Sequence, residues 1–390
     1  MTPCVPLSLV GLLLLSRCSS SSSSSSSTLE VLTQRNSDFS ARLYGAVCSR
    51  TDDNVFLSTV TLAAGLLALV SAANGPTRDQ LLQGLSLTGL DPQSLPDLFQ
   101  SLGTPVTNMK QGVAVFPAQG FPVSASYLDL VQTRFGGTAQ SLAYTVPQEA
   151  TDAINRWAQD RTGDEVQDLV TTLDPNTQLL LATTASYKAH FSPPFNVSFT
   201  QDERFYVGRY HIVMVPMMFR AGKYFLAYDD SVKVGVLKLP MASGTAMLVL
   251  LPDEGVDITA VEEQLTGEKI QNWIGRLKRT KLEVQLPRFL LERSYSLRDA
   301  LQTLDITLVF QEDADLSTMG GATGLRLTQV HHKSVVSVDE SGDDIIAEGG
   351  ASPTSTPPPR LTVNRPFIFI IYQTGGVVLS MGRVIDPSRK

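Results

Sequence analysis

The sequence predicts an α+β domain. Two observations carry that prediction: apolar residues recur at helical spacing through the first half, and β-branched or apolar runs bounded by Gly, Pro and Asp fill the second. Helices followed by many strands, without alternating βαβ units, point to segregated layers rather than a doubly wound sheet. In chain order, "NSDFSARLYGAV" has a Ser37 or Asp38 cap and Phe39, Leu43, Tyr44 and Val47 on one face, and "STVTLAAGLLALVSAANG" reads as a largely buried helix closed by Asn74-Gly75. "TRDQLLQGL", "LPDLFQSL", "SASYLDLVQTRFGG" and "PQEATDAINRWAQDR" continue the helical pattern. The strands begin with "TQLLLATTASYKAHF" and follow as "YHIVMVPMMF", "VGVLKLPM", "GTAMLVLLP", "KLEVQLPRFLL", "SVVSVDE", "PRLTVNRPFIFIIYQ" and "GVVLSMGRVID". With 390 residues, 43% of them hydrophobic, the chain can bury a large core, and no composition shift or internal repeat divides it after residue 30.

Charge and composition exclude several function classes. A formal net charge of −7 provides no footprint for nucleic acid, and "RLKRTK" (276 to 281), the only dense basic run, reads as a solvated turn. Residues 5 to 15, "VPLSLVGLLLL", have signal-peptide length and are too short to span a bilayer, with small residues from Ser19 onward for cleavage. The expected organisation is a signal peptide over 1–18, a flexible serine-rich leader over 19–34 and one domain over 35–390, in a secreted, extracellular, monomeric protein without membrane attachment. Of three cysteines, Cys4 and Cys18 fall in or beside the signal, which leaves Cys48 as a small core residue without a disulfide framework. Asn196, in "NVS", is the glycosylation sequon.

Catalytic chemistry is mostly missing. The histidines His190, His211, His331 and His332 stand in no H-E-x-x-H or C-x-x-C context, and the adjacent pair would point to opposite faces of a strand, so no metal site is expected. No G-x-S-x-G elbow, Walker loop or strand-following G-x-G-x-x-G occurs, and Asp313, Asp315, Asp343 and Asp344 read as loop solvation. The expectation is no enzyme and no cofactor. What stands out is the long acidic, proline-laden stretch between "SVVSVDE" and the apolar run at 364–372, because structureless loops of more than about 12 to 15 residues in compact domains are usually functional or disordered.

Eight pieces carry a family resemblance: "VPMMF" (215 to 219), "VLKLP" (236 to 240), "AMLVLLPDE" (246 to 254), "LPRFLLERSYSLRDALQTLDITLVF" (286 to 310), "ADLS" (314 to 317), "VDESG" (338 to 342), "NRPFIFIIY" (364 to 372) and "GRVIDP" (382 to 387). In order and spacing they resemble the serpins, over roughly residues 35 to 390. The resemblance implies three β-sheets, eight or nine helices and an exposed reactive-centre loop ahead of the C-terminal strands. In inhibitory members a serine protease cleaves that loop, is trapped as an acyl ester and is dragged and distorted as the loop inserts into the main sheet. The strained native fold stores the free energy for that step.

A strand entering the middle of a sheet must carry side chains that tolerate burial on alternate positions. Taking Glu340-Ser341-Gly342 as the start of the hinge, the family continues with Thr and then small residues; this chain continues "DDIIAEGG". Asp343 falls at the first inward position, followed by Ile345, Ala347 and Gly349, while Ile346 and Glu348 on the other face are bulkier than the family pattern and Pro353 removes a ladder donor. Counting from Glu340 places the scissile bond after Thr356, before Pro357; counting from Pro366 places it after Ser355. The insertion point carries Thr183 and Phe191 where the family has Asn and Trp, and the shutter "S-P-x-S" appears as "STVT", Ser58 to Thr61. These departures, and "RSYSLRDAL", resemble the non-inhibitory, hormone-precursor branch. The expected function is a secreted non-inhibitory serpin with a carrier, hormone-precursor or ligand-binding role and a small hydrophobic or peptide ligand. The alternative is a serine protease inhibitor acting by loop insertion.

Overall fold

The computed structural model describes residues 21–102, 106–321, 323–342 and 358–390, with residues 21–27 by backbone alone. The first half holds α1 (Ser21–Cys48), β1 (Val55–Leu57), α2 (Thr59–Ala72), α3 (Gly75–Gly84), α4 (Leu95–Ser101), β2 (Met109–Pro117), α5 (Ala125–Phe135), β3 (Thr138–Ala139), α6 (Pro147–Thr162) and β4 (Leu179–Lys188). Then come β5 (Gln201–Gly208), β6 (His211–Asp229), β7 (Val234–Pro240), β8 (Thr245–Pro252), α7 (Ile258–Glu262), α8 (Gly267–Arg276), β9 (Lys278–Pro287), β10 (Phe289–Ser296), α9 (Arg298–Thr303) and β11 (Gln329–Val338). The chain closes with β12 (Arg360–Thr362), β13 (Phe367–Gln373) and β14 (Val378–Val384).

The first helix corrects the sequence reading. Neither Ser37 nor Asp38 caps it: the Ser37 hydroxyl donates back to the Thr33 carbonyl at 3.1 Å, an interior-helix bond. Leu32 lies two turns before Phe39 on the same face and both are buried, so core packing extends the helix upstream. The stretch read as a flexible leader, 19–34, is therefore helical from Ser21. The other helices follow their local chemistry. Ser124 accepts from the Tyr127 amide to open α5, and Gly136, at φ +59°, ends it. In α2 the small residues bring the backbone close to the sheet, and a side chain at Gly65 would meet Thr183 Cγ2 at 3.0 Å.

The five-stranded sheet runs β10-β11-β4-β2-β3. The other ladder joins nine strands in the order β1-β14-β13-β8-β7-β6-β9-β12, with β5 beside β6. Two of the three expected sheets are thus linked by hydrogen bonds, because β6 is long enough to pair with β5 near its start and with β7 near its end, while β9 pairs with its other edge from Met217 to Leu226. Helices α1, α2, α8 and α9 cover one core, and a second core rich in Phe56, Phe289, Phe367 and Phe369 lies between the sheets. Cys48 is buried on α1 as an unpaired thiol. His331 and His332 point to opposite faces of β11, and no group of three or more metal-ligating side chains forms among the described residues.

Candidate functional site

The central pair of the five-stranded sheet has an unusual polarity. β11 and β4 run parallel, in register from Gln329↔Leu180 to Ser337↔Lys188, whereas β10 on one side and β2 on the other are antiparallel to them. Parallel pairing is slightly less stable per residue than antiparallel pairing. A segment turning back after β11 would run antiparallel to both neighbours if it entered this seam, so the topology defines a slot for an added strand.

Side chains hold the seam shut along its length. In the middle, His332 faces Thr183 as its ladder partner and the two side chains bond across the seam, His332 Nδ1 to Thr183 Oγ1 at 2.9 Å. The Ser58 amide donates to His332 Nε2 at 3.1 Å, so Nε2 is the acceptor and the proton of the neutral ring sits on Nδ1. Beneath lies the Ser58–Thr61 pair, with hydroxyl oxygens 2.7 Å apart, and Thr61 donates to Gln111 Oε1 at 2.8 Å. Ser334, two residues beyond His332 on the same face, donates to the Phe56 carbonyl at 2.7 Å. Burial pushes the His332 ring far down, to about 3, and a hydrogen bond with the Thr183 backbone opposes this without offsetting it.

The upper end is held by backbone and by charge. The Phe191 amide donates to the Ser341 carbonyl at 3.0 Å, and Phe191 bridges Gly342. Phe191 is buried edge-on against Phe195 at 5.1 Å, so it fills the apolar space at the upper end of the seam. Lys188 stands 4.0 Å from Asp339 across the seam. Glu340 is nearly buried, at 6% exposure, and takes Arg288 Nη2 at 2.5 Å, Arg288 Nε at 3.1 Å and the Thr200 hydroxyl at 2.5 Å. Burial pushes its carboxyl up, but the Arg288 and Thr200 bonds outweigh this and hold it below the ordinary carboxylate value.

Two substitutions test this closure. Glu340→Gln is expected to lower stability by about 1–3 kcal/mol through loss of the charge-assisted bonds, read as the denaturant midpoint at neutral pH. Because the folded carboxyl is held low, its contribution is complete above the unfolded value and disappears as pH falls through the folded one. Gly342→Ala places a Cβ 2.0 Å from the Phe191 carbonyl oxygen. Overpacking against backbone costs about 1–3 kcal/mol, so a lowered melting temperature with faster amide exchange at Phe191 is expected.

The structure brings together Thr183, Phe191, Ser58, Thr61, Glu340 and Gly342 along one seam. Asp343, Ile345, Ala347, Ser355, Thr356 and Pro357 lie outside the described residues, as does the 1–18 segment. Asn196 is exposed at the start of a short 3-10 turn, and its Oδ1 accepts from the Ser198 amide at 2.9 Å. His332, Gln111, Arg288 and Thr200 were not singled out from sequence. Only the period-two alternation of "HHKSVVSV" marks His332 as inward, and Arg288 and Thr200 are far from Glu340 in the chain.

The parallel β4–β11 pair sits beside a buried hydroxyl–imidazole network, and in the sequence residues 343–357 join its upper end to β12. The chain belongs to the serpin family: the model described as "Serpin (serine protease inhibitor)" matches residues 34–387. It is 30% identical over 369 residues to protein Z-dependent protease inhibitor of Homo sapiens, covering 92% of this chain and 83% of the relative. It is also 30% identical over 378 residues to leukocyte elastase inhibitor of Bos taurus, covering 92% and 100%. Among solved structures, mouse protein-Z dependent protease inhibitor superposes with a TM-score of 0.85 at 30% identity, covering 93% of this chain and 99% of that one. Human thyroxine-binding globulin complexed with thyroxine superposes at 0.84 and 26% identity, covering 92% and 99%.

Proposed function

We propose that this chain is a secreted serpin that works as a binding protein and not as a loop-inserting inhibitor. The observation that carries this reading is the position of Gly342 against Phe191 at the mouth of the seam. The next residue to enter would be Asp343, and burying an unpaired carboxylate there costs several kcal/mol or forces its protonation. Similarity to thyroxine-binding globulin in complex with thyroxine supports a small hydrophobic ligand as cargo. Nothing in this role calls for catalysis by the chain itself.

Similarity at 30% identity to two proteins named as inhibitors favours the second reading, suicide inhibition with a scissile bond after Ser355 or Thr356. Incubation with trypsin-, chymotrypsin- and elastase-like proteases separates the two. The binding-protein reading expects a cut loop and free active protease, whereas a covalent complex that survives boiling in detergent would establish inhibition. Secretion through the 1–18 signal, with a glycan on Asn196, is part of the proposal. Expression in mammalian cells should put the protein in the medium, with a glycosidase-sensitive mass that Asn196→Gln removes.

A further inference from the structure

A cavity of about 390 Å³ opens beside the Ser58–Thr61 network. Val60 and Ala64 of α2, Val113 of β2, Phe99 of α4, Phe135 at the end of α5 and Leu379 of β14 give it mostly apolar walls. Among the described residues its one charged lining side chain is already paired, since Arg134 Nη1 lies 2.6 Å from Asp97 Oδ1. Gln100 also lines it, but its Nε2 is used on the Thr133 carbonyl at 2.7 Å. Gln111 is different. Its Oε1 accepts from Thr61, while its Nε2 has no hydrogen-bond partner among the described residues and the side chain is exposed toward the cavity.

Cavities of roughly 300–1,000 Å³ with apolar walls and a few placed polar groups are the usual form of a small-molecule site. We propose that this cavity binds a neutral, mostly apolar small molecule carrying a carbonyl acceptor, which takes a hydrogen bond from Gln111 Nε2. A charged ligand would find no free counter-charge there, and a hydrocarbon would leave the amide unsatisfied. Occupancy acts on the seam through a short chain of bonds. Gln111 holds Thr61, Thr61 pairs with Ser58, the Ser58 amide holds His332, and His332 bonds Thr183 across the seam. A molecule that fixes Gln111 therefore favours the closed sheet, and opening of the sheet weakens the molecule's hold by the same factor. The proposal names a ligand site for the binding protein described above and rests on that reading. Its test involves neither loop nor protease, so either can fail alone.

The test uses the purified full chain titrated with prodan, a neutral naphthalene ketone, followed by fluorescence. Saturable binding of one molecule per chain is expected, with the dissociation constant raised about tenfold in Gln111→Leu, the scale of one hydrogen bond. Met109→Trp, which fills the cavity from β2, is expected to abolish binding. Val60→Phe serves the same purpose should Met109→Trp misfold. Exchange of the Ser58 amide should slow when prodan is bound. Absence of saturable binding overturns the proposal. So does binding that Gln111→Leu and the filling variant leave unchanged, which would place the probe on the exposed apolar strip of Ile212 and Met214. Saturable, variant-sensitive binding without any change at Ser58 would overturn the coupling to the seam.

Discussion

Replacing Asp343 by Thr and residues 344–348 by alanine is expected to raise the melting temperature of the loop-cleaved protein by tens of degrees, leaving the uncleaved protein near wild type. The parallel β4–β11 pair is flanked on both sides by antiparallel neighbours, so an entering antiparallel strand would make every pairing from β10 to β2 antiparallel. The obstacle is chemical. On the family spacing Asp343 would be the first inward residue beyond Gly342, and Gly342 itself lies against Phe191 and Pro194. Removing that charge and the bulk of Ile345, Ile346 and Glu348 lets the freed strand zip inward from its hinge. The uncleaved protein is expected to be insensitive because the contact of Gly342 with Phe191 precedes the changed residues. Differential scanning calorimetry before and after a single nick checks this, and an unchanged melting point in the nicked variant would remove Asp343 as the cause.

The second large effect is acid sensitivity of the shutter. His332 is fully buried among Thr183, Ser58 and the Tyr295 ring, 6.4 Å away, and burial holds it neutral down to about pH 3. A histidine whose folded value is depressed binds its proton more readily in the unfolded chain. Below the ordinary value of 6.5 the unfolded state therefore gains protons first and stability falls as pH falls, by up to about 1.4 kcal/mol per pH unit until about pH 3. His331 adds to the slope in the same direction, since burial lowers it as well. The low-held carboxyl of Glu340 acts only near and below its ordinary value of 4.5, so the window from 6.5 to 4.5 isolates the histidines. Denaturant titrations across that window should show the slope in wild type and a clearly shallower one in His332→Gln. Equal slopes would mean that His332 charges without leaving its site.

Much of this was legible in the sequence, for reasons that differ from element to element. The helices α2, α5 and α6 were marked by apolar spacing and, for α5, by the flanking Ser124 and Gly136. Strands β8 and β13 are buried on both faces and read as unbroken apolar runs. The short β1 and β3 have too few residues for any period, β2 sits among helices, and α8 hides its buried Ile270 and Trp273 within a polar decapeptide. For the site, Thr183, Phe191, Ser58 and Thr61 were found by family spacing, not by physics. Their partners His332, Gln111 and Arg288 were not, because side-chain pairs that cross between strands leave no mark in local sequence. Thr183, which stands where the family has Asn, bonds through its hydroxyl to His332 at 2.9 Å.

The central claim, that this loop stays out of the sheet, is tested most directly by thermal unfolding of the wild-type protein before and after one nick between residues 346 and 361. The account predicts melting temperatures within a few degrees of each other, with the β4–β11 ladder still closed by its Thr183–His332 bond in the nicked form. A rise of tens of degrees would show that the loop enters the seam despite Asp343, and would contradict it.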